Sequence, residues 1–501
     1  MLKKIILPKY IIDLIQKLEE AGFEAFVVGG CVRDLLMSKN PKDWDIATNA
    51  QPKELLKIFP DGKYENQFGT VMLPLKYIKG IKEEDQSGPN IEITTYRIES
   101  KYSDKRHPDE IKFAKTLEED LSRRDFTINA MAIRVGSKKS KVKNCEYEVI
   151  DLFGGREDLK NKVIRAVGEA EERFNEDALR MMRAIRFAVQ MNFKIESKTF
   201  SAIKKNAKNL QYVSMERIRD DFNKIILSQD PASGIKLLIE SKLIDEFIPE
   251  IIKTVRVKQN RHHYYGPYNT VYAHMLASLE KCPSEKLEVR LAAFFHDLGK
   301  PKTKRGTGES ATFFGHEYVG AKMVEKIMTR LKYSRKVIDK TILLVKNHMF
   351  YYNVDEVGET GVRRVVQKVG LENINDLIDV RIADRLGSGV AKAVPYKLRH
   401  FKFMVEKVSS DPLSVKQLKV GGNDLMKDLK IKPGPKIGAI LDVLLAQVID
   451  DPKLNKKEKL LKLAEDLNKK DLEDLRKIAK QKIAEEKKEE EKLMKKKYWV
   501  E

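Results

Sequence analysis

Cysteine is scarce in this chain, with 3 among 501 residues. Cys31, Cys145 and Cys282 lie far apart and form no CxxC pair, which excludes a cysteine-rich zinc site and a disulfide framework and fits a reducing compartment. Long hydrophobic runs are also missing. No apolar stretch approaches the ~20 residues that a membrane-spanning helix needs. The first residues, interrupted by Pro8 and Asp13, are too short in apolar content for a secretory signal. The expectation is a cytoplasmic protein with no membrane contact. Acidic charge is in deficit, with 75 Asp and Glu against 96 Lys and Arg, a formal net charge of +21. Such an excess favours a polyanionic partner, nucleic acid before an anionic membrane surface.

The length accommodates three or four domains. The pattern over residues 1–150 alternates between helical and strand periodicity: an amphipathic helix at 10–20, then strands at 26–28, 69–75, 91–96 and 130–135. A polar stretch at 79–90 reads as a hairpin tip. This is an α/β domain built on a small mixed sheet. From about 151 the strand signal nearly disappears and helical patterns run to the end. Boundaries are expected near 150, 255 and 405, giving a head, a helical neck and body, a third helical domain at 256–404 and a helical tail. The Lys/Glu-rich stretch from about 463 reads as either a solvent-exposed helix or a partly disordered basic tail.

The densest chemistry lies in Val27-Val28-Gly29-Gly30-Cys31-Val32-Arg33-Asp34, followed by Asp43-Trp44-Asp45. Strand side chains alternate faces, so Asp43 and Asp45 are expected on one side. Two carboxylates beside a glycine turn whose backbone can approach phosphates suit a divalent metal and a triphosphate, the requirement of nucleotidyl transfer. Either motif alone is common. Glu92 is either a third carboxylate beside them or a solvated strand residue. Downstream, Arg123-Arg124-Asp125-Phe126-Thr127 and Asn129 supply guanidinium forks suited to phosphate oxygens. Arg123 reads as a salt-bridge residue and Arg124 as a functional one. In the segment 176–187, Ala178, Met182, Ile185 and Val189 fall on one helical stripe. Asp177, Arg180, Arg183 and Arg186 form a slanted ribbon beside it. An Asp acceptor and an Arg donor one turn apart suit the Watson–Crick edge of a base. The alternative is a solvated basic face.

Together these motifs resemble those of the class II tRNA nucleotidyltransferase and poly(A) polymerase family, over roughly residues 20–250. The resemblance implies a nucleotidyltransferase head followed by helical neck, body and tail. It also implies Mg²⁺ on Asp43 and Asp45, and Gly30 and Arg33 at the nucleotide triphosphate. Arg124 would contact the nucleotide, and Asp177 and Arg180 would read the incoming base, with Arg183 and Arg186 close by. ATP and CTP would be the substrates and tRNA the partner. Asp151 would lie at the joint between head and neck, and the polar loop at 99–108 matches a flexible loop used in adding the terminal A. CCA addition is favoured over poly(A) addition by the context of Asp45.

A second constellation comprises His274, His296, Asp297, His316, His348 and Asp384, centred on His296-Asp297-Leu298-Gly299-Lys300. This order of His and Asp suits a divalent metal: His296 and Asp297 from one helix end, with His274 and Asp384 from others, and His316 and His348 toward a second ion. Lys300 suits a phosphate. The set resembles the HD-domain phosphohydrolases, which implies metal-dependent phosphatase or phosphodiesterase chemistry on RNA ends. Asn269 stands where some relatives have another His.

Overall fold

The computed structural model describes residues 6–65, 69–74, 91–100, 110–136, 147–259, 269–390, 394–409, 415, 418–450, 454–478, 492–493 and 495–500. The expected hairpin tip at 79–90, most of the 99–108 loop and Cys145 lie outside them. Two compact units are present: Met1–Lys346 with Ala383–Gly389, and Asn347–Ile382 with Val390–Glu501.

The first unit begins with helix α1 (Lys9–Glu20), which buries Ile11, Leu14, Ile15 and Leu18, the i, i+3, i+4, i+7 set of one helical face. That face packs on a seven-stranded sheet. Its strands are β1 (Ala25–Val28), β2 (Trp44–Thr48), β3 (Lys63–Glu65), β4 (Thr70–Leu73), β5 (Ile91–Thr95), β8 (Met131–Val135) and β9 (Tyr147–Asp151). They lie in the order β3-β4-β5-β2-β1-β8-β9. β2 and β5 run parallel, and the other pairs are antiparallel. Strand β1 is buried on both faces. Ala25 and Val27 join the core under α1, whereas Phe26 and Val28 join a second cluster with Ala47, Tyr96 and Leu121. The same alternation runs through β2: Trp44 and Ile46 face the first core and Ala47 the second, so Asp45 shares the second face. Helices α2 (Gly30–Leu36), α3 (Pro52–Ile58) and α4 (Leu117–Ser122) complete the head.

Three elements differ from the sequence expectation. β6 (Arg97–Ser100) and β7 (Glu110–Phe113) form a separate two-stranded antiparallel sheet at the edges of the stretch read as loop. The head sheet extends to Asp151 through β9, one residue past the expected boundary. Strand pairing also recurs in the neck, where β10 (Val163–Ile164) lies parallel to β11 (Lys194–Ile195).

Helices α5 (Gly155–Asn161), α6 (Ala170–Glu176), α7 (Leu179–Met191), α8 (Ser197–Asn206), α9 (Met215–Ile226), α10 (Pro231–Glu240) and α11 (Ile252–Val255) follow. Next come α12 (Val271–Glu280), α13 (Leu287–Phe295), α14 (Lys300–Thr303), α15 (His316–Arg330) and α16 (Arg335–Asn347). The second unit holds α17 (Glu359–Val369), most of α18 (Leu371–Gly387), α19 (Tyr396–Ser409), α20 (Gly422–Asp428), α21 (Pro435–Asp450) and α22 (Lys457–Asn468). Leu460, Ala464, Leu467 and Leu475 are buried with Leu425, Ile440 and Leu444. The stretch from 463 to 475 is therefore packed, neither a free helix nor a loose tail.

The head joins the neck through Asp151, whose carboxylate accepts the Gly155 and Arg156 N–H groups (2.7 and 2.9 Å) and caps α5. Thr127 Oγ1 donates to the buried Asp158 carboxylate of that helix at 2.6 Å. Gly155 lets the two chains touch: a Cβ there would stand 2.3 Å from the Thr127 carbonyl oxygen. Gly154 has φ +76° and open space around it. Gly155→Ala is therefore expected to destabilise the first unit by about 1–3 kcal/mol through overpacking. Gly154→Ala should cost about 1 kcal/mol, from backbone conformation alone. Urea unfolding of both variants checks the order.

Candidate active site

The turn after β1 is fixed by what packs against it. Gly29 has φ 80° and ψ −135°. A Cβ on it would meet Arg124 Nη1 at 2.7 Å and Asp45 Oδ2 at 3.4 Å. Glycine is favoured by the conformation, and a Cβ would also push the Arg124 guanidinium from its place. The glycine turn, the strand carboxylate and the arginine of the third motif thus meet at one point. Asp43 lies one residue before β2. Glu92 is in register with Asp45 on the neighbouring parallel strand, so the two side chains project to the same face. Burial pushes the Asp45 carboxyl above the ordinary range; Arg124 opposes the shift and Asp43 adds to it. A partly buried carboxylate with a second one beside it is a place where a cation is favourable. Cys31, in the same turn, has its thiol pushed up to about 12 by burial first, and is inert as a nucleophile.

Arg123 and Arg124 share one anchor that sequence reading missed. Asp120, buried on α4, takes Arg123 on Oδ1 (2.8 Å) and Arg124 on Oδ2 (3.1 Å). Burial works against this carboxylate, but the two guanidiniums outweigh it and hold its pKa below the usual value. Asp125 is paired with Arg183 of α7, whose Nε and Nη2 reach Oδ2 at 2.8 and 2.6 Å. Asp120 stands three and four residues before the arginines on a helical stretch, a spacing that carried the signal.

Asp125 Oδ1 accepts from Asn129 Nδ2 at 3.2 Å, and Asn129 Oδ1 accepts from Arg33 Nη1 at 2.7 Å. Arg33 also grips Asp34 Oδ1 with Nε and Nη2, at 2.9 and 2.8 Å. The chain Arg33–Asn129–Asp125–Arg183 therefore ties three separate motifs together. Arg33, Arg183 and Arg186 all stand against the ring of Phe187, at 5.5, 5.3 and 4.4 Å from its centroid. Phe187 closes the motif at 176–187, but sequence reading assigned it no role.

The ribbon on α7 is not a solvated face. Arg180 and Arg186 are only 8% and 7% exposed. Arg180 Nη1 meets Glu176 at 2.7 Å, and its Nη2 donates to the Arg123 carbonyl at 2.9 Å. Arg186 pairs with the buried Asp221 of α9. Asp177 departs from the helical reading: it sits in an extended break between α6 and α7. Its Oδ1 accepts the Leu179 N–H at 3.0 Å, and Oδ2 accepts from Arg217 at 2.9 Å. A carboxylate that takes backbone N–H groups of the following turn competes with helix continuation.

The second constellation also comes together. His274 on α12 and His296 at the end of α13 place their Nε2 atoms 3.0 Å apart. Asp297 Oδ2 lies 3.3 Å from each, and Asp384 Oδ1 lies 3.2 Å from His274 and 3.8 Å from His296. His316 Nε2 reaches Asp297 Oδ1 at 3.2 Å. The Nδ1 atoms of His296 and His316 each face a backbone carbonyl, Ala293 and Phe313, at 2.8 Å. That arrangement puts the Nδ1 proton on the carbonyl and turns the Nε2 lone pairs inward, the tautomer that ligates metal. Burial works against the Asp297 carboxylate, but His296 and Lys300 hold its pKa well below the ordinary value. The donor set of imidazole and carboxylate fits a divalent transition metal. Gly299 allows the approach of α15, since a Cβ there would lie 2.1 Å from the His316 carbonyl. His348 is buried and belongs to the second unit.

Parts of the chain resemble known proteins. Residues 25–165 match the poly A polymerase head domain. Asp45, and Asp43 just before its strand, lie within that match. Residues 192–254 match the "Probable RNA and SrmB- binding site of polymerase A", and 270–388 match the HD domain. A CCA-adding enzyme of Lactobacillus delbrueckii subsp. bulgaricus is 47% identical over 234 residues, 46% of this chain and 54% of that protein. One from Lactococcus lactis subsp. cremoris is 42% identical over 271 residues, 52% of this chain and 62% of that protein. The chain thus spans little more than half the length of these curated relatives. The Bacillus stearothermophilus CCA-adding enzyme in complex with CTP superimposes with a TM-score of 0.57 at 27% identity, covering 93% of this chain and 98% of that one. The Thermotoga maritima CCA-adding enzyme complexed with tRNA shares the fold, with a TM-score of 0.52 at 22% identity over 92% of this chain and 96% of that one. No described helix is long and apolar enough to cross a membrane.

The Asp125–Arg183 pair has a pH signature. Burial opposes the Asp125 carboxylate, yet Arg183 and Asn129 hold its pKa below the ordinary value. A depressed carboxylate contributes stability above the unfolded-state pKa and loses it as pH falls through the folded value. Arg183→Met strands the buried charge and should cost about 3–5 kcal/mol near neutrality. The folded pKa of Asp125 then rises, so the deficit should shrink as pH falls through that raised value. Urea unfolding of both proteins across this pH range checks the convergence.

Proposed function

We propose that this chain is a CCA-adding tRNA nucleotidyltransferase, which builds C, C and A on the tRNA 3′ end from CTP and ATP and releases pyrophosphate. The observation that carries the reading is the meeting of Gly29, Asp45 and Arg124 at one point of the head sheet, with Glu92 in register with Asp45 on the next strand. It is supported by relatives named CCA-adding enzyme at 42–47% identity over about half of the chain, and by the CTP complex of a structural neighbour. The net charge of +21 suits an RNA partner.

Mg²⁺ held by Asp43 and Asp45 would supply the charge that aligns the tRNA 3′-hydroxyl with the α-phosphate. Glu92, in register with Asp45, is the third carboxylate of the set. Gly30 and Arg33 lie along the triphosphate, and Arg124 neutralises charge at the nucleotide. Asp177 accepts from the exocyclic amine of cytosine or adenine, and Arg180 donates to a ring acceptor. Their anchoring to Arg217 and Glu176 limits how far these groups turn, so the pocket itself acts as template. Arg183 and Arg186 fix α7, which carries Arg180, through Asp125 and Asp221. The double variant Asp43→Ala, Asp45→Ala is expected to lose nucleotide transfer entirely while binding tRNA as the parent does. Transfer retained in that variant sinks the assignment.

The HD domain adds a second, metal-dependent phosphohydrolase activity on RNA ends. His274, His296, Asp297 and Asp384 would hold a divalent metal, which would supply the positive charge that makes a bound water acidic. Phosphate-ester hydrolysis with Ni²⁺ or Mg²⁺ should vanish in His296→Ala, with CCA addition unchanged. Equal hydrolysis in parent and variant would exclude this site as its source.

A further inference from the structure

Lys300 occupies an unusual place beside the HD cluster. Its ammonium lies 2.6 Å from Asp297 Oδ2. That same oxygen stands 3.3 Å from both His274 Nε2 and His296 Nε2. A cation held by these imidazoles draws on that oxygen and weakens its hold on Lys300. The ammonium then needs another acceptor to stay at the site. Gln259 provides one: its Oε1 accepts from Lys300 Nζ at 2.7 Å.

Gln259 is well built for this task. It is 1% exposed. Its backbone N–H donates to the Asn269 carbonyl at 2.7 Å, and the Val271 N–H donates to the Val257 carbonyl at 2.8 Å. Lys258 and Thr270 form the bridge between them. This short antiparallel contact leads directly into α12, which carries His274. Asn269 thus contributes here through its backbone oxygen, at the position singled out in the sequence. The amide also carries a cost. Among the described residues, its buried Nε2 has no hydrogen-bond partner. An apolar residue of the same size avoids that penalty, so the glutamine needs a reason, and its carbonyl oxygen on Lys300 is the one observed. The Phe313 ring, 5.6 Å from the ammonium, walls another side.

We propose that Gln259 is a positioning residue for a phosphoryl-binding subsite: it holds Lys300 at the edge of the HD cluster, where the ammonium receives an oxygen of a bound phosphate or phosphate ester. The proposal rests on the metal-dependent reading of the HD site. Gln259 acts through Lys300 and not on the metal, so its removal weakens phosphate binding while sparing metal uptake.

The test uses the full-length protein, Mn²⁺ and inorganic phosphate, read by titration calorimetry. Mn²⁺ affinity is measured first, then phosphate affinity at saturating Mn²⁺. Gln259→Met is expected to take up Mn²⁺ as the parent does and to bind phosphate about tenfold more weakly, the loss of a hydrogen bond to a charged group. Gln259→Glu keeps an acceptor for the ammonium and should retain most of the parent affinity. In a Lys300→Met background, Gln259→Met should cause no additional loss, since the interaction it served is gone. Parent-like phosphate binding by Gln259→Met overturns the proposal, as does an equal loss in the presence and absence of Lys300. Equal weakening by Gln259→Met and Gln259→Glu overturns it too. A parent protein that takes up no Mn²⁺ removes the HD-site reading itself, and the subsite with it.

Discussion

A carboxylate buried at the junction of sheet and helices must have its oxygens satisfied, or it destabilises everything around it. Asp125 is that group here. One oxygen receives the Arg183 fork from α7, and the other receives Asn129 and the Phe126 N–H. Asn129 in turn orients Arg33 on α2. The requirement to satisfy one buried charge therefore sets the distance between the glycine turn, the paired arginines and α7. Nucleotide chemistry needs such rigidity, because positional error in a charged site is costly. The Phe187 ring beneath three guanidiniums adds a wall that is apolar yet compatible with cations.

Much of this was legible in the sequence because its signals are local. The amphipathic face of α1, the buried strand before Gly29 and the alternation through Trp44, Asp45 and Ile46 each follow from a period of 3.6 or 2. The HD cluster was legible by composition, since histidines and aspartates of that order seldom serve packing alone. What escaped was of longer range. Which carboxylate each arginine takes depends on tertiary proximity: Arg183 reaches 58 residues back to Asp125, and Arg186 reaches 35 residues on to Asp221. Asp177 was read as helical because Ala178 and the residues after it keep a helical period, whereas its backbone is extended and its side chain accepts the Leu179 N–H of the helix that follows. The β6–β7 pair was hidden because its four-residue strands flank a polar stretch with the composition of a loop.

The two sites in the first unit use opposite strategies with the same ingredients. In the head, the arginines are each committed to protein carboxylates or carbonyls, so their positions are set before any ligand arrives. In the HD cluster, imidazole nitrogens and carboxylate oxygens crowd to about 3.0–3.3 Å with Nδ1 atoms tied to carbonyls, a geometry that a cation resolves. Both rely on glycine where backbones meet: Gly29 against Arg124, Gly155 against Thr127 and Gly299 against His316.

The central claim is that a fixed protein pocket, without a nucleic-acid template, selects C twice and then A. The most direct measurement incubates the purified protein and Mg²⁺ with tRNA lacking its 3′ CCA, supplying CTP, ATP or both, and resolves products at single-nucleotide length. The account predicts growth by two residues with CTP alone, by three with both, and then arrest. Long ladders from ATP alone, or addition without regard to which nucleotide is offered, would contradict it.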